Sequence, residues 1–201
     1  MTRIAIFASG SGSNAENIIK DFTQNHPNLE ISTIISNKET AFVHERAKKL
    51  GVKSRTFTAK QFVDTDDVIC YLQEEKIDFI VLAGFLLKVP ENIIRFYPFR
   101  IINIHPALLP NYGGKGMYGD NVHKAVVEAQ EKESGITIHY VDQNYDEGDI
   151  IFQATCLIDS QDTHHQVAEK VHALEYQFFP DIIARVIDAL PYKTKLFLTR
   201  N

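Results

Sequence analysis

The chain begins with a short apolar strand, a Gly/Ser-rich loop and a helix, and this unit limits the possible folds more than any other stretch. Residues 3–8 form the strand, residues 9–14 form the loop, and a helix with an apolar inner face begins at Ala15. Similar apolar strands alternate with helices as far as residue 83. Strands that are apolar on both faces and alternate with helices are typical of a parallel sheet covered on both sides. The sequence therefore predicts an α/β fold.

The same periodicities place the other elements. Strands are predicted at 30–36, 52–57, 79–83, 101–104, 135–141 and 150–156, and helices at 41–50, 61–75 and 121–131. The last two strands are close enough in sequence for a hairpin-like connection. A long final helix is predicted to start at a cap, Asp162 or Thr163, and to continue through Pro180 with a kink.

Length, charge and cysteine content exclude several classes of protein. The 201 residues fit one domain, and the net charge of -5, without a basic stripe, argues against nucleic acid as a partner. No apolar run reaches membrane-spanning length, and the start of the chain turns polar too soon for a signal peptide. We therefore expect a cytoplasmic protein. Cys70 and Cys156 lie in apolar stretches without zinc-site spacing, which predicts reduced, packed thiols.

Two polar side chains stand out at the strand predicted over 101–104. Asn103 and His105 are two residues apart, so they share one face of the strand. Pro106 ends the strand and places both at its carboxyl end. A hydrogen-bonded pair of core polar groups would explain them. An amide beside an imidazole is also the pairing that stabilises a developing oxyanion.

The first loop satisfies the G-x-G-x-x-A pattern between Gly10 and Ala15. Glycine lets the backbone approach a ligand, and the N–H groups at a helix start favour an anion. A tight turn with Ser13 or Asn14 as the helix N-cap is the purely structural explanation. A dinucleotide would need an acidic residue at the end of the second strand, where Asn37 stands. The loop therefore predicts binding of a phosphomonoester.

Three further residues are candidates for the site. Asp146 lies in the turn between the last two strands and is either a solvated turn residue or a carboxylate that favours the imidazolium form of His105. His139, inside a strand, is expected to have a supporting role at most. Glu175 lies among apolar residues and needs a partner such as a ligand hydroxyl, a lysine or an arginine. No histidine pair has metal-binding spacing, so no metal site is predicted.

With these residues collected, the chain resembles the phosphoribosylglycinamide formyltransferases, which use 10-formyltetrahydrofolate in purine synthesis. The resemblance runs from the first loop to about Pro180. It is carried by Gly-Ser-Asn at 12–14, Ala-Gly-Phe at 83–85, Asn-Ile-His-Pro-Ala-Leu-Leu-Pro at 103–110 and Asp-Glu-Gly at 146–148.

This resemblance implies a Rossmann-like formyltransferase fold, a mostly parallel twisted sheet with helices on both faces. It implies a single domain over residues 1–201, with a nucleotide-phosphate half at about 1–100 and a folate and catalytic half at about 101–190. The implied substrates are glycinamide ribonucleotide and 10-formyltetrahydrofolate, with no metal, nucleic acid or membrane partner. Oligomeric state is not implied.

The resemblance also assigns roles to individual residues. Asn103, His105 and Asp146 match the catalytic trio of the family. The residues that match its ribonucleotide site are Gly12, Ser13, Asn14 and, at the ribose, Glu175. The residues that match its folate site are Leu86, Leu87, Lys88, Val89, Asn103 and Asp142.

Three features depart from the family pattern. The loop after Pro110 carries a longer stretch, Gly113–Gly119, so its phosphate-side and folate-side contacts are open. Lys88 stands where an arginine is common, and the arginine expected to hold the glutamate tail of the folate has no counterpart near Lys60.

In the expected reaction, the acceptor amine attacks the formyl carbon, and Asn103 and protonated His105 donate hydrogen bonds to the oxyanion. Asp146 keeps the imidazolium protonated. One alternative is another formyltetrahydrofolate-using enzyme, such as a methionyl-tRNA or sugar-amine formyltransferase or a hydrolase. Two others are a nicotinamide-dependent oxidoreductase, which Asn37 disfavours, and a nucleotide-binding module without catalysis, which need not bring the trio together.

Overall fold

The computed structural model describes residues 1–190. Its strands are β1 (Thr2–Phe7), β2 (Leu29–Ser36), β3 (Lys53–Thr56), β4 (Phe79–Leu82), β5 (Ile101–His105), β6 (Glu133–Tyr140) and β7 (Ile150–Leu157). Its helices are α1 (Ser13–Asn25), α2 (Val43–Lys49), α3 (Ala59–Asp64), α4 (Asp67–Glu74), α5 (Glu91–Phe96), α6 (Asp120–Glu128) and α7 (His164–Ala189).

All seven strands form one sheet in the order β3-β2-β1-β4-β5-β6-β7. The five strands from β3 to β5 run parallel, while β6 is antiparallel to β5 and β7 is antiparallel to β6. The mostly parallel α/β sheet that the sequence predicts is therefore confirmed, including the hairpin-like connection of the last two strands.

The apolar strands are buried on both faces, as their composition predicts. Ile4 and Ile6 of β1 pack in the core shared with α1, α2, α6 and α7. Ala5 and Phe7 of the same strand point to the opposite core, shared with α3, α4 and α5. Each isoleucine buried in this way stabilises the fold by about 1.5–3 kcal/mol before the entropy of ordering is counted. The two cores fix the sheet between its helical layers.

The strand order reverses between β1 and β4, which are neighbours in the sheet but are separated in sequence by β2 and β3. In open α/β sheets, ligands bind at the carboxyl ends of the strands on either side of such a reversal, because the following loops leave in opposite directions. The loop after β1 and the ends of β4 and β5 therefore border one crevice.

Several local predictions are corrected by the structure. The helix predicted over 61–75 is two helices, because Thr65 is extended (φ -134°, ψ 166°) and ends α3. The short helix α5 was not predicted, since six residues after Pro90 are too few for a clear helical period. Cys70 is exposed rather than packed, and both cysteines are free. Thr163, not Asp162, caps α7, which continues through Pro180.

No helix within residues 1–190 is long and apolar enough to cross a membrane.

The Thr137 hydroxyl fixes the segment that follows β5. This fully buried side chain of β6 donates to the carbonyl of Ala107 (2.7 Å) and accepts from the N–H of Leu109 (2.9 Å). The amide of Gln153 donates to the same oxygen at 2.9 Å. One hydroxyl thus satisfies backbone groups that have no strand partner.

We expect Thr137→Val to lower the free energy of unfolding by about 2 kcal/mol or more, because it leaves the Ala107 carbonyl and the Leu109 N–H buried and unpaired. Urea denaturation measures the change. Thr155→Val, at an exposed position of the adjacent strand β7, is the matched control and should shift the midpoint little. Equal stability of the two variants would contradict the role assigned to the hydroxyl.

Candidate active site

Asn103 and His105 lie on β5 at the carboxyl edge of the sheet, as the sequence predicts. His105 is 3% exposed, and its Nε2 donates to the backbone carbonyl of Tyr112 at 2.7 Å. Its other ring nitrogen, Nδ1, is 3.6 Å from a carboxylate oxygen of Asp146. The carbonyl accepts but cannot donate, so Nε2 carries a proton and Nδ1 is the nitrogen that faces the site.

His139 orients the amide of Asn103. Its Nδ1 donates to the carbonyl of Tyr140 (2.8 Å), so in the neutral ring Nε2 is an acceptor. The amide nitrogen of Asn103 donates to that Nε2 at 3.1 Å, and its second hydrogen faces Asp146 at 3.5 Å. His139 is buried, and its place behind Asn103 agrees with the supporting role expected from the sequence.

Asp146 joins the trio that the sequence singles out. It adopts a left-handed backbone conformation (φ 57°) in the turn before β7, and its side chain points back to β5. One oxygen accepts from the N–H of Gly114 at 2.9 Å. Burial alone would raise the pKa of Asp146, but the nearby His139 and His105 rings and the Gly114 N–H favour the carboxylate, and the pKa lies below the ordinary value.

The charge state of His105 differs from the expected imidazolium. Burial disfavours the charged ring and outweighs both the nearby Asp146 carboxylate and the Tyr112 carbonyl, so the pKa of His105 is lowered. The ring is therefore neutral at neutral pH, while Asp146 is ionised. A neutral imidazole beside a carboxylate can accept a proton and is then stabilised as it becomes charged.

The Gly/Ser-rich loop opens toward the same crevice. Gly12, at φ 73°, is the residue before α1, and a Cβ there would lie 2.4 Å from the side chain of Val43. No side chain caps this helix, so the expectation that Ser13 or Asn14 is the N-cap is wrong. The first N–H groups of a helix have no intrahelical acceptor, which leaves them to bind an anion.

Asn37 helps to hold the Gly/Ser-rich loop in place. Its side-chain oxygen accepts from the Ser9 hydroxyl at 2.5 Å, and that hydroxyl accepts from the N–H of Leu86 at 2.8 Å. The position where a dinucleotide site has an acidic group is thus occupied by a structural amide, which agrees with the preference for a phosphomonoester.

Glu175, 4% exposed, has two partners that the sequence did not identify. Its Oε2 accepts from the amide of Asn14 (2.9 Å) and from Nδ1 of His172 (2.8 Å). The hydrogen bond that His172 donates to the Glu175 carboxylate raises the pKa of His172. Neither partner is the lysine or arginine that was expected, and Glu175 thereby links α7 to the start of α1.

A cavity of about 810 Å³ brings these groups together. Its lining includes Gly12, Ser13, Asn14, Leu86, Asn103, His105, Asp146 and Glu175. A second cavity of about 60 Å³ adjoins it and is lined by Leu87, Lys88, Val89, Asn103, Asp142 and other residues. All the residues predicted to bind substrates therefore line one of two neighbouring cavities.

Sequence reasoning missed His123 and Lys115, which line the main cavity, and Tyr112, which contacts its lining. His123 is 2% exposed, and its Nδ1 has no partner within residues 1–190. Tyr112 acts through its carbonyl and is fixed by its hydroxyl, which donates to Glu131 at 2.7 Å. Lys115 stands in the glycine-rich loop on the cavity wall.

One group of side chains in the described part of the chain has potential metal ligands within 4.8 Å of one another, namely Asp120, His164 and His165. The group is half-exposed, and His164 already faces Asp120 at 3.6 Å and packs against His165. An ion pair explains this arrangement, so the absence of a metal site stays a prediction.

Comparison with known proteins identifies the family. The model of the formyl transferase family matches residues 2–183. The chain belongs to the formyl transferase family. A phosphoribosylglycinamide formyltransferase of Bacillus subtilis is 32% identical over 191 residues, which are 93% of this chain and 95% of that protein. A glycinamide ribonucleotide transformylase 1 structure from Symbiobacterium toebii has a TM-score of 0.86 at 28% identity, covering 96% of this chain and 92% of that one.

The formyl transferase relatives differ in length. A chloroplastic phosphoribosylglycinamide formyltransferase of Arabidopsis thaliana is 33% identical over 191 residues, 92% of this chain but 65% of that protein. The chain spans 59% of a second plant relative, from Vigna unguiculata.

The pair formed by Glu175 and His172 can be tested by NMR titration. We expect Glu175→Gln to lower the pKa of His172, because the carboxylate holds the ring in its charged form. A pKa raised in the folded state stabilises the fold below the unfolded pKa of about 6.5, and this contribution disappears as pH rises through the folded-state value.

The stability advantage of the parent chain over Glu175→Gln should therefore shrink from pH 5 to pH 8. Glu169→Gln, at an exposed position of α7, is the control and should leave the His172 titration in place. An unchanged His172 titration in Glu175→Gln would show that the hydrogen bond is not formed in solution.

Proposed function

We propose that this chain transfers a formyl group from 10-formyltetrahydrofolate to the amine of glycinamide ribonucleotide. The observation that carries the proposal is the single cavity that contains both the phosphate-type loop and the trio of Asn103, His105 and Asp146. An acceptor whose phosphate binds at the Gly/Ser-rich loop would extend across the cavity, so that its amine lies near the end of β5. The bacterial relatives named for this activity match the chain over nearly their full length.

The acceptor end of the cavity suits a ribonucleotide. The N–H groups at Gly12, Ser13 and Asn14 suit the phosphate. Glu175 lies on the same wall, with Asn14 and His172 holding one of its oxygens, so the carboxylate is oriented to accept from ribose hydroxyls. The phosphate loop at 12–14 lies in the first half of the chain and the catalytic trio lies in the second half, so the division at about residue 100 stays a proposal.

The catalytic groups support a reaction in which His105 starts neutral. The acceptor nitrogen forms a bond to the formyl carbon, the carbonyl electrons move to oxygen, and Nδ1 of His105 takes the proton from nitrogen. The imidazolium so formed is stabilised by Asp146 at 3.6 Å and by the Tyr112 carbonyl at 2.7 Å. It returns the proton to the folate nitrogen as the second carbon–nitrogen bond breaks.

Asn103 is the neutral donor to the developing oxyanion. One amide hydrogen is held by His139, and the other faces Asp146 at 3.5 Å, the limit of a hydrogen bond. That second hydrogen is free to turn to a better acceptor when the formyl oxygen gains charge. A donor of this kind contributes about 3–4 kcal/mol to the transition state.

The folate is proposed to lie beside Leu86, Leu87, Lys88 and Val89, with Asp142 at the far wall. Leu87 and Val89 give the second cavity an apolar side, while Asn103 and Asp142 add polar groups suited to a pterin edge. The turn at 142–146 forms one side of this cavity, and Asn103 and Tyr145 also line the adjoining main cavity, so the folate is proposed to extend across both. Tyr145, half-exposed and beneath the ammonium of Lys88, belongs to that turn.

The alternative functions predict different results in a turnover assay. A formyltetrahydrofolate hydrolase would turn over donor without acceptor, and a nucleotide-binding module would bind phosphate without turnover. An absorbance assay of folate product with and without glycinamide ribonucleotide separates all three. The predicted cytoplasmic location stays a prediction, because two plant relatives are named chloroplastic.

Asn103→Ala and His105→Ala should each lose about a hundredfold or more in kcat, because each removes a group that acts mainly in the transition state. Ribonucleotide binding should persist. Asn25→Ala and His26→Ala, at the far end of α1, are matched controls that should leave kcat unchanged. Near-normal turnover in either active-site variant would refute its assigned role.

The pH dependence of kcat tests the neutral resting state of His105. Because the neutral ring is the active form and its pKa is lowered by burial, kcat should rise with pH along an acid limb below the ordinary histidine value of about 6.5. Asp146→Asn removes a charge that raises this pKa, so the limb should move to still lower pH and the plateau should fall. A kcat that declines from pH 5 to pH 7 would instead require the imidazolium.

A further inference from the structure

The lining of the main cavity has more acidic than basic side chains, although the proposed substrate carries a negatively charged phosphate. Three carboxylates line it, those of Asp120, Asp146 and Glu175, and Lys115 is the single lysine or arginine among the described residues of its lining. A phosphomonoester adds close to two negative charges at neutral pH. Backbone N–H groups at a helix start can bind an anion, and a nearby cation strengthens that binding by a charge-assisted hydrogen bond.

The histidines of the cavity supply no permanent cation that is free of a partner within residues 1–190. His172 is committed to Glu175 at 2.8 Å. His123 is buried, and burial lowers its pKa, so it is neutral at neutral pH. His165 is exposed at the start of α7 and packs against His164 beside Asp120. Lys115 remains as the permanent charge.

The backbone around Lys115 is held on both sides. Gly114 and Gly116 adopt φ values of 91° and 92°, a region that favours glycine. The Gly114 N–H donates to Asp146 at 2.9 Å, and the Gly116 carbonyl accepts from the amide of Asn121 at 3.2 Å. Between these two contacts the Lys115 side chain is exposed and forms no ion pair within residues 1–190.

Two anions of the proposed reaction are possible ligands, the phosphate of the acceptor and the carboxylates of the folate tail. The second cavity, which is lined by most of the predicted folate residues, has its own lysine, Lys88, and Lys115 does not line it. Of the predicted folate residues, Leu86 and Asn103 also line the main cavity. Lys115 shares the main cavity with the loop at Gly12 and Ser13 and with Glu175. The arrangement favours the acceptor.

We propose that Lys115 binds the phosphate monoester of the acceptor and determines the preference for a phosphorylated substrate. This inference rests on the proposed function for the identity of the acceptor. The glycine-rich loop then has a definite role: it attaches at Gly114 to a catalytic carboxylate and presents a cation to the opposite end of the substrate.

The test compares Lys115→Met and Lys115→Arg with Lys132→Met, a matched loss of an exposed lysine outside both cavities. Inorganic phosphate binding to the full chain is measured by isothermal titration calorimetry, and KM is measured separately for glycinamide ribonucleotide and for 10-formyltetrahydrofolate. Lys115→Met should weaken phosphate binding and raise the acceptor KM by roughly tenfold, the usual effect of a charge-assisted hydrogen bond. Donor KM and kcat at saturating acceptor should stay within about twofold to threefold.

Lys115→Arg should retain most of the phosphate affinity, and Lys132→Met should match the parent chain. A rise in donor KM with unchanged acceptor KM would overturn the proposal and assign Lys115 to the folate tail. Unchanged phosphate affinity in Lys115→Met would overturn it as well. The calorimetric arm needs no turnover, so weakened phosphate binding in a chain that does not formylate glycinamide ribonucleotide would support the anion site while refuting the proposed acceptor.

Discussion

The Asp146 carboxylate connects three segments that meet at the carboxyl edge of the sheet. It accepts from Gly114 of the glycine-rich loop, faces His105 at the end of β5, and lies beside the amide of Asn103. Its own backbone is left-handed, a conformation that few residues other than glycine, asparagine and aspartate adopt without cost. Loss of this carboxylate would therefore release the glycine-rich loop and also change the electrostatics of the His105 imidazole. A resulting change in activity could not be assigned to one contact alone.

Burial of His105 matters for the proposed reaction. A solvated imidazole would be partly charged before substrate arrives, whereas the buried ring stays neutral and has Nδ1 available as a base. The groups that stabilise its charged form, Asp146 and the Tyr112 carbonyl, are already in place. Such preorganised groups stabilise charge as it develops, without reorganising during the reaction.

Much of the fold and part of the candidate site could be predicted from the sequence alone. Strand periodicity was enough to place Asn103 and His105 on one face, because that relation is local. The contact between Asn14 and Glu175 joins residues 161 positions apart and leaves no local pattern. The acceptor of His105 is a backbone carbonyl, which any residue at position 112 would offer, so no side chain marks it. The charge of His105 depends on burial by the whole fold, which lowers its pKa, and no local sequence pattern shows that burial.

Glu175 and Asn14 lie at opposite ends of the described chain, yet they form one wall of the acceptor site. Along the chain, the Gly/Ser-rich loop that is proposed to bind phosphate precedes β2, whereas Glu175 follows all seven strands. All five parallel strands of the sheet precede α7 in sequence. The proposed acceptor site is consequently complete only when α7 has packed against α1 and Glu175 has met Asn14.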